Sequence, residues 1–137
     1  MSSPHDRGYF PPIPVLSVKF GRSGERPWLG PFEAIVDTGA DTTILPDSVV
    51  EQLKITPINP GQLVTQWGDV HPVNIYLLDI EVEEQRIPGT IVAGDAASKD
   101  IVLGRSLLNH LSLFIDGPLL QTEVLSARSL TQLRAHG

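Results

Sequence analysis

The chain has 137 residues, a formal net charge of −6 and a pI of about 5.0, with 41% apolar and 19% charged residues. This length and composition predict one folded domain with its own core and argue against intrinsic disorder. Lysine and arginine form no cluster, so we do not expect a nucleic-acid-binding protein.

The sequence contains no cysteine, which excludes disulfides and thiolate metal sites and fits a reducing compartment. Residues 1–14 lack the basic and apolar regions of a signal peptide. No stretch approaches the roughly 18 consecutive apolar residues of a membrane helix. The four histidines are scattered and predict no metal site. We therefore expect a cytoplasmic protein that uses no cofactor and has no membrane partner.

Twelve glycines and twelve prolines favour an all-β (mainly β) architecture over long helices. Residues 1–13 are polar and proline-rich, and we predict a flexible N-terminal arm. The folded domain is predicted at residues 14–125. Residues 126–137 are predicted to be a frayed C-terminal tail.

Alternation of apolar and polar residues predicts short strands separated by turns. In chain order, the predicted strands are residues 15–20, 32–37, 62–66, 70–78, 79–83, 87–93, 101–103, 113–115 and 119–125. A long loop is predicted at 21–30, and Trp67-Gly68-Asp69 predicts a hairpin turn in the middle of the chain. Short helices are predicted at 49–53 and 107–111.

Asp37-Thr38-Gly39 is the most informative motif, and apolar residues 34–36 and 44–45 flank it. A carboxylate at the end of a buried strand, followed by a small hydroxyl residue and a glycine, is how aspartic proteases present a catalytic aspartate. In that chemistry one carboxylate activates a water as general base, and a second, protonated carboxyl polarises the scissile carbonyl. The triplet occurs once, so two chains would have to meet to form one site.

The flanking residues suit this chemistry. Gly39 lets the backbone fold tightly beside the carboxylate, Thr38 offers a short hydroxyl for a buried hydrogen bond, and Ala40 leaves room for substrate. An ordinary hairpin turn is the alternative, because Asp and Gly are both common in turns. Against it, the apolar flanks place the charge where burial is expected, and an unpaired buried carboxylate is costly.

A second motif, Val102-Leu103-Gly104-Arg105, leads into the second predicted helix. The two motifs together resemble the retropepsins, the retroviral and retroviral-like aspartic proteases. In that family an apolar-apolar-Gly-Arg strand packs beneath the catalytic loop and continues into a helix. Residues 80–94 are similar to the retroviral pattern before this motif. The resemblance covers about residues 14–115 and implies a closed β-barrel or sandwich with a flap hairpin and one short C-terminal helix.

The resemblance implies roles for the matching residues of the active-site loop. Asp37 would be catalytic, and Thr38 would bond across a dimer axis to its symmetry mate. Gly39 would bind the substrate backbone through its carbonyl, with Ala40 beside it in the loop. Asp41 would contact the substrate backbone farther out.

Other residues would support or cover this loop. Gly104 and Arg105 would brace it, with Arg105 pairing with Asp41; two unrelated surface charges are the alternative. Trp67 and Gly68 would bind substrate from the tip of the flap, whereas an ordinary core aromatic is the alternative for Trp67.

The match departs from the retroviral pattern in several places. The flap tip is not glycine-rich, and the loops at 21–30 and 94–100 are longer. His71 on the same hairpin is interpreted as a solvated histidine and His110 as a structural one. The chain also continues past the helix into 119–125, a pattern similar to bacterial retropepsin-like proteins.

The leading hypothesis is an aspartic-type endopeptidase that works as a homodimer, with Asp37 of each chain in one cleft and a protein or peptide as substrate. The alternative is a catalytically inactive retropepsin-fold module that binds peptides or mediates assembly. The intact triplet favours the enzyme, because a binding module has no need of it. No residue pattern supports a third possibility, a hydrolase acting on other substrates.

Overall fold

The computed structural model describes residues 2–64 and 67–136. Within these ranges the chain forms ten strands and three helices. The strands are β1 (Ser2–Pro4), β2 (Val15–Arg22), β3 (Leu29–Val36), β4 (Thr43–Pro46), β5 (Asn59–Val64), β6 (Val70–Val82), β7 (Gln85–Asp95), β8 (Ile101–Leu103), β9 (Leu113–Asp116) and β10 (Gln121–Val124). The helices are α1 (Asp47–Leu53), α2 (Arg105–Leu108) and α3 (Ala127–His136).

Six strands close into a mixed β-barrel in the order β2-β3-β8-β4-β7-β6, and β6 pairs with β2 to complete the ring. The pairs β3–β8 and β4–β7 are parallel. The other four pairs are antiparallel. The predicted mainly β fold with a closed barrel is therefore confirmed.

The barrel interior is filled by apolar side chains, which alternate with less buried residues along the middle of β2. On β2 and β6 the residues with at most 1% exposure are Leu16, Val18, Phe20, Leu78, Ile80 and Val82. Full burial of such a side chain contributes about 1.5–3 kcal/mol. This packing holds the strand ends that carry the site in a fixed register.

A hairpin made of β5 and the first half of β6 projects beyond the barrel. β5 pairs with β6 from Asn59↔Ile75 to Val64↔Val70, whereas β7 meets β6 only from Asn74 onward. The predicted mid-chain hairpin is confirmed over the described residues. Positions 65 and 66 of the predicted first arm lie outside them.

The predicted strands 70–78 and 79–83 are one strand, β6. Its register against β7 shifts between Leu78 and Ile80, so Asp79 sits at a bulge. The aspartate looked like a strand break in the sequence, but its side chain is only 3% exposed and its carboxyl is fully hydrogen-bonded. It accepts hydrogen bonds from Arg86 Nη2 (2.7 Å), the Gly89 amide (2.9 Å) and the Gly24 amide (3.1 Å).

Asp79→Asn is expected to lower the free energy of unfolding at neutral pH by about 2 kcal/mol, less than for a fully buried ion pair because Arg86 is half-exposed. Burial raises the pKa of Asp79, but the hydrogen bonds from Arg86, Gly89 and Gly24 outweigh it and hold the pKa below its ordinary value. The carboxylate therefore stabilises the fold above the unfolded-state pKa of about 3.9, and this contribution is lost as pH falls through the lower folded-state value.

Urea denaturation of the wild type and of Asp79→Asn between about pH 7 and about pH 2 measures the difference in their free energies of unfolding. This difference should become smaller at the acid end. Glu81→Gln is the matched control on the same strand. Its pair with Lys19 is 4.0 Å long and partly exposed, so its loss should cost less than about 1 kcal/mol. Equal effects of the two substitutions, or a difference that does not vary with pH, would contradict the prediction.

The two chain ends meet in a small sheet with the order β1-β10-β9. The segment predicted as a flexible arm contributes β1 and the buried His5, whose Nε2 lies 2.9 Å from Thr122 Oγ1. Most of the predicted frayed tail is helical in the structure, since it contains α3. Ser126 Oγ caps this helix by accepting a hydrogen bond from the Ser129 amide. Among the described residues, no helix is long and apolar enough to span a membrane.

Candidate active site

Asp37 follows β3 at the point where that strand leaves the core. Its N–H donates to the Leu103 carbonyl over 3.0 Å, which extends the parallel pairing of β3 with β8. Val36 is buried, but the triplet Asp37-Thr38-Gly39 is exposed on the single chain. The expected burial is therefore found at the end of strand β3 but not at the Asp37 carboxylate, which is exposed on the single protomer.

The local turn around Asp37 is an ordinary one. Asp37 Oδ1 accepts a hydrogen bond from the Gly39 amide over 2.9 Å. Asp6 makes the same Asp-x-Gly contact with the Gly8 amide over 2.8 Å in the N-terminal segment. Hydrogen bonding within the triplet thus does not distinguish a catalytic loop from a simple turn, and the surroundings of the loop must do so.

Helix α2 holds the loop from below. The amides of Arg105 and Ser106 donate to the carbonyls of Ala40 (2.8 Å) and Asp41 (3.0 Å). Arg105 Nη1 donates to the Thr38 carbonyl over 2.7 Å. Three hydrogen bonds from the start of one helix therefore fix three carbonyls of the loop that follows Asp37.

Gly104 makes this contact possible, because its backbone lies against the loop. A Cβ atom at position 104 would stand 2.3 Å from the Thr42 carbonyl oxygen and 3.0 Å from that of Ala40. The Gly104 amide also donates to Thr43 Oγ1 over 3.2 Å. Any residue could adopt the extended backbone of Gly104, so the glycine is required here for space and not for its backbone conformation.

Thr43 and Ser106 were not singled out from the sequence, yet they tie the loop to α2. Ser106 Oγ lies 3.0 Å from Thr43 Oγ1 and accepts a hydrogen bond from the Thr43 amide over 3.1 Å. Thr43 is fully buried. No local pattern marks this pair, because it forms only when β4 and α2 are brought together.

The predicted pairing of Arg105 with Asp41 is wrong for the described chain, in which no ion pair within 4.0 Å joins them. The guanidinium turns to the Thr38 carbonyl instead. Asp41 is exposed and accepts a hydrogen bond from Thr42 Oγ1 over 3.1 Å. Arg105 thus contacts the loop as predicted but through a different partner, which leaves the Asp41 carboxylate open to the cleft.

The loop forms one wall of a cleft of about 720 Å³. The other walls come from the projecting hairpin, the end of β7 and the start of α2. The lining residues are Asp37, Gly39, Ala40, Asp41, Thr42, Ile44, Leu63, Val64, His71, Asp95 and Arg105. The structure therefore brings Asp37, Gly39, Ala40 and Asp41 together with Arg105, whereas Thr38 is not among the lining residues.

The predicted residues of the hairpin turn are not part of this wall in the described chain. Trp67 and Gly68 lie outside the set of lining residues, and Leu63 and Val64 take their place. Trp67 is 83% exposed, so it is not a core aromatic either.

The cleft also contains a polar pair that the sequence did not predict. His71 Nδ1 lies 3.4 Å from Asp95 Oδ1, and both residues line the cavity. His71 is predicted to be solvated, whereas only about one third of its side chain is exposed in the structure. His110 is exposed just beyond α2. Among the described residues no group of His, Cys, Asp and Glu is arranged to hold a metal ion.

Comparison with protein families agrees with this geometry. The model of the gag-polyprotein putative aspartyl protease family matches residues 30–110, which is more than half of the chain. The chain belongs to this retropepsin-like family. The matched segment runs from β3 to just past α2, so it contains both the Asp37 triplet and the Gly104-Arg105 motif. No protein with a curated description matches the chain.

Proposed function

We propose that this family member is an aspartic endopeptidase that works as a homodimer, with one Asp37 from each chain. The observation that carries the proposal is the position of Asp37. It lines an open cleft, on a loop whose carbonyls are fixed by hydrogen bonds from α2. A rigidly held carboxylate in a peptide-sized cleft is what general-base activation of water requires.

The exposure of the triplet supports the dimer. Asp37, Thr38 and Gly39 are all exposed on one chain, and the chain has one such triplet. A second copy placed on a two-fold axis at this point would cover all three and bring two carboxyls together. Two adjacent carboxyls share one proton, so one acts as base while the other polarises the scissile carbonyl.

The projecting hairpin acts as the flap in this proposal. Leu63 and Val64 present apolar side chains to the cleft, and Val64 is 68% exposed. Closure onto an extended peptide would bury these side chains and exclude water from the reacting bond. Trp67 and Gly68, at the turn, would reach the substrate only in the closed state.

Other features fit this proposal without adding to the mechanism. Residues 113–124 continue past α2 into β9 and β10, which is similar to bacterial retropepsin-like proteins and favours that branch. The absence of cysteine favours a cytoplasmic location.

Cleavage of a denatured protein substrate, with and without pepstatin, tests the proposed activity. We expect pepstatin-sensitive cleavage with an optimum at mildly acidic pH, where the coupled carboxyl pair holds a single proton. A rate that climbs steadily to about pH 9 would contradict the shared-proton mechanism. Absence of cleavage from acidic to neutral pH would favour the non-catalytic, peptide-binding module.

Specific activity is expected to fall on dilution, because each protomer supplies half of the site. Below the dimer dissociation constant the rate per chain should decrease in proportion to the dimer fraction measured by analytical ultracentrifugation. Chemical crosslinking of the dimer before dilution should preserve the activity. A rate per chain that stays constant while the dimer dissociates would refute the shared site.

A further inference from the structure

The pair formed by His71 and Asp95 has no part in the proposed chemistry, yet it lies in the same cleft as Asp37. His71 is on the projecting hairpin, at the part of β6 that β7 does not reach. Asp95 is the last residue of β7. The pair therefore joins the hairpin to the barrel at the edge of the substrate cavity.

Asp95 is a fixed partner for the histidine. It is 6% exposed, and the Ala97 amide donates to its Oδ1 over 3.0 Å. The same oxygen lies 3.4 Å from His71 Nδ1. This contact at one ring nitrogen favours one orientation of the imidazole and leaves the other nitrogen for a further partner. In the described part of the chain, His71 Nε2 makes no hydrogen bond.

Charged groups of both signs line the cleft around His71. Besides Asp95 on β7, the charged groups that line the cavity with His71 are Asp37 and Asp41 on the loop and Arg105 at the start of α2. The Arg105 guanidinium donates a hydrogen bond to the Thr38 carbonyl. A protonated imidazole carries two N–H donors, one for the aspartate and one for a ligand.

We propose that His71, oriented by Asp95, is a specificity-determining residue of this cleft. It makes the subsite beneath the hairpin prefer a substrate side chain with an oxygen acceptor, such as Gln or Glu, over an aliphatic one of similar size. The reason is that an aliphatic side chain would bury the second N–H of the imidazole without a partner. The inference rests on the proposed function and adds to it the class of side chain at one subsite.

Matched peptides that carry either Gln or Leu at one position near the scissile bond test this inference. The wild-type protein should prefer Gln at one of these positions by about 10-fold in kcat/KM at about pH 5, mainly through KM. His71→Leu should remove that preference, mainly by raising kcat/KM for the Leu peptide, which would no longer bury an unpaired N–H. Asp95→Asn, which keeps the ring in place with a weaker partner, should reduce it. His110→Leu is the matched control and should keep the wild-type preference.

A purely structural role of the pair predicts a different result. If His71 only braces the hairpin, His71→Leu should slow both peptides equally, and an unchanged Gln/Leu ratio would overturn the inference. A preference of the wild type for Leu at every position would do the same. His71→Gln retains a donor and serves as the second variant if the leucine variant does not fold; it should preserve part of the preference.

Failure of the protease proposal can be told apart from failure of this one. If no peptide is cleaved, calorimetry with the same peptides carrying a reduced amide bond measures binding to the wild type and to His71→Leu. Tighter binding of the Gln peptide that is lost in the variant would sustain the role of His71 and refute the enzyme. Equal or absent binding of the two peptides would overturn the role of His71.

Discussion

Asp37→Asn is expected to abolish peptide cleavage, with a fall in kcat of about 10³-fold or more. The amide can still accept the hydrogen bond that the Gly39 amide gives to Oδ1, so the loop should keep its shape. It cannot take a proton from water, and in a homodimer both members of the pair are lost at once. Single-turnover cleavage of a fluorogenic peptide, with circular dichroism and sedimentation as checks on fold and assembly, measures the effect.

Asp6→Asn is the matched control for this experiment. Asp6 makes the same kind of Asp-x-Gly contact, to the Gly8 amide, and it does not line the cleft. Its replacement should leave kcat unchanged. If Asp37→Asn retains wild-type activity while folded, the carboxylate does not perform the chemistry and the proposed mechanism fails.

Gly104→Ala is expected to have the largest effect on the fold near the site. The new methyl group would stand 2.3 Å from the Thr42 carbonyl oxygen and 2.6 Å from its carbon, and both are backbone atoms that cannot rotate away. Either the loop at residues 37–42 or α2 must shift, at a cost of about 3 kcal/mol. We expect a lower denaturation midpoint and loss of activity together, because the same contact holds the loop that carries Asp37.

Gly117→Ala provides the comparison for Gly104→Ala. A Cβ atom at position 117 would meet no atom within 4 Å, so this substitution should be close to neutral. Urea denaturation and the peptide assay on both variants measure stability and function side by side. Wild-type stability and activity of Gly104→Ala would show that the close approach of α2 is not needed to support the loop.

The barrel strands could be predicted because burial leaves a period-two pattern in the sequence. Leu16, Val18 and Phe20 alternate with less buried residues, and the structure places all three in the core. The prediction failed at Asp79, where a buried carboxylate inside β6 looked like a strand break. The groups that satisfy it lie on the turn between β2 and β3 (residue 24) and on the neighbouring strand β7 (residues 86 and 89), which local alternation cannot reveal.

The C-terminal helix α3 was missed for a different reason. Its large apolar residues are only Leu130 and Leu133, so no strong amphipathic pattern marks it. The signal that could have found it is the cap, since Ser126 precedes a helix-compatible segment and bonds the Ser129 amide.

By itself, the sequence determined that Asp37 follows a strand, that Gly104-Arg105 opens a helix and that the domain is mainly β. Local features, namely apolar alternation and two short motifs, carry that information. Only the tertiary structure decided that Arg105 contacts Thr38 and not Asp41, and that His71 and Asp95 meet inside the cleft. These contacts depend on strand register and on the closure of the barrel, which arise from packing across the whole chain and not from the residues beside each position.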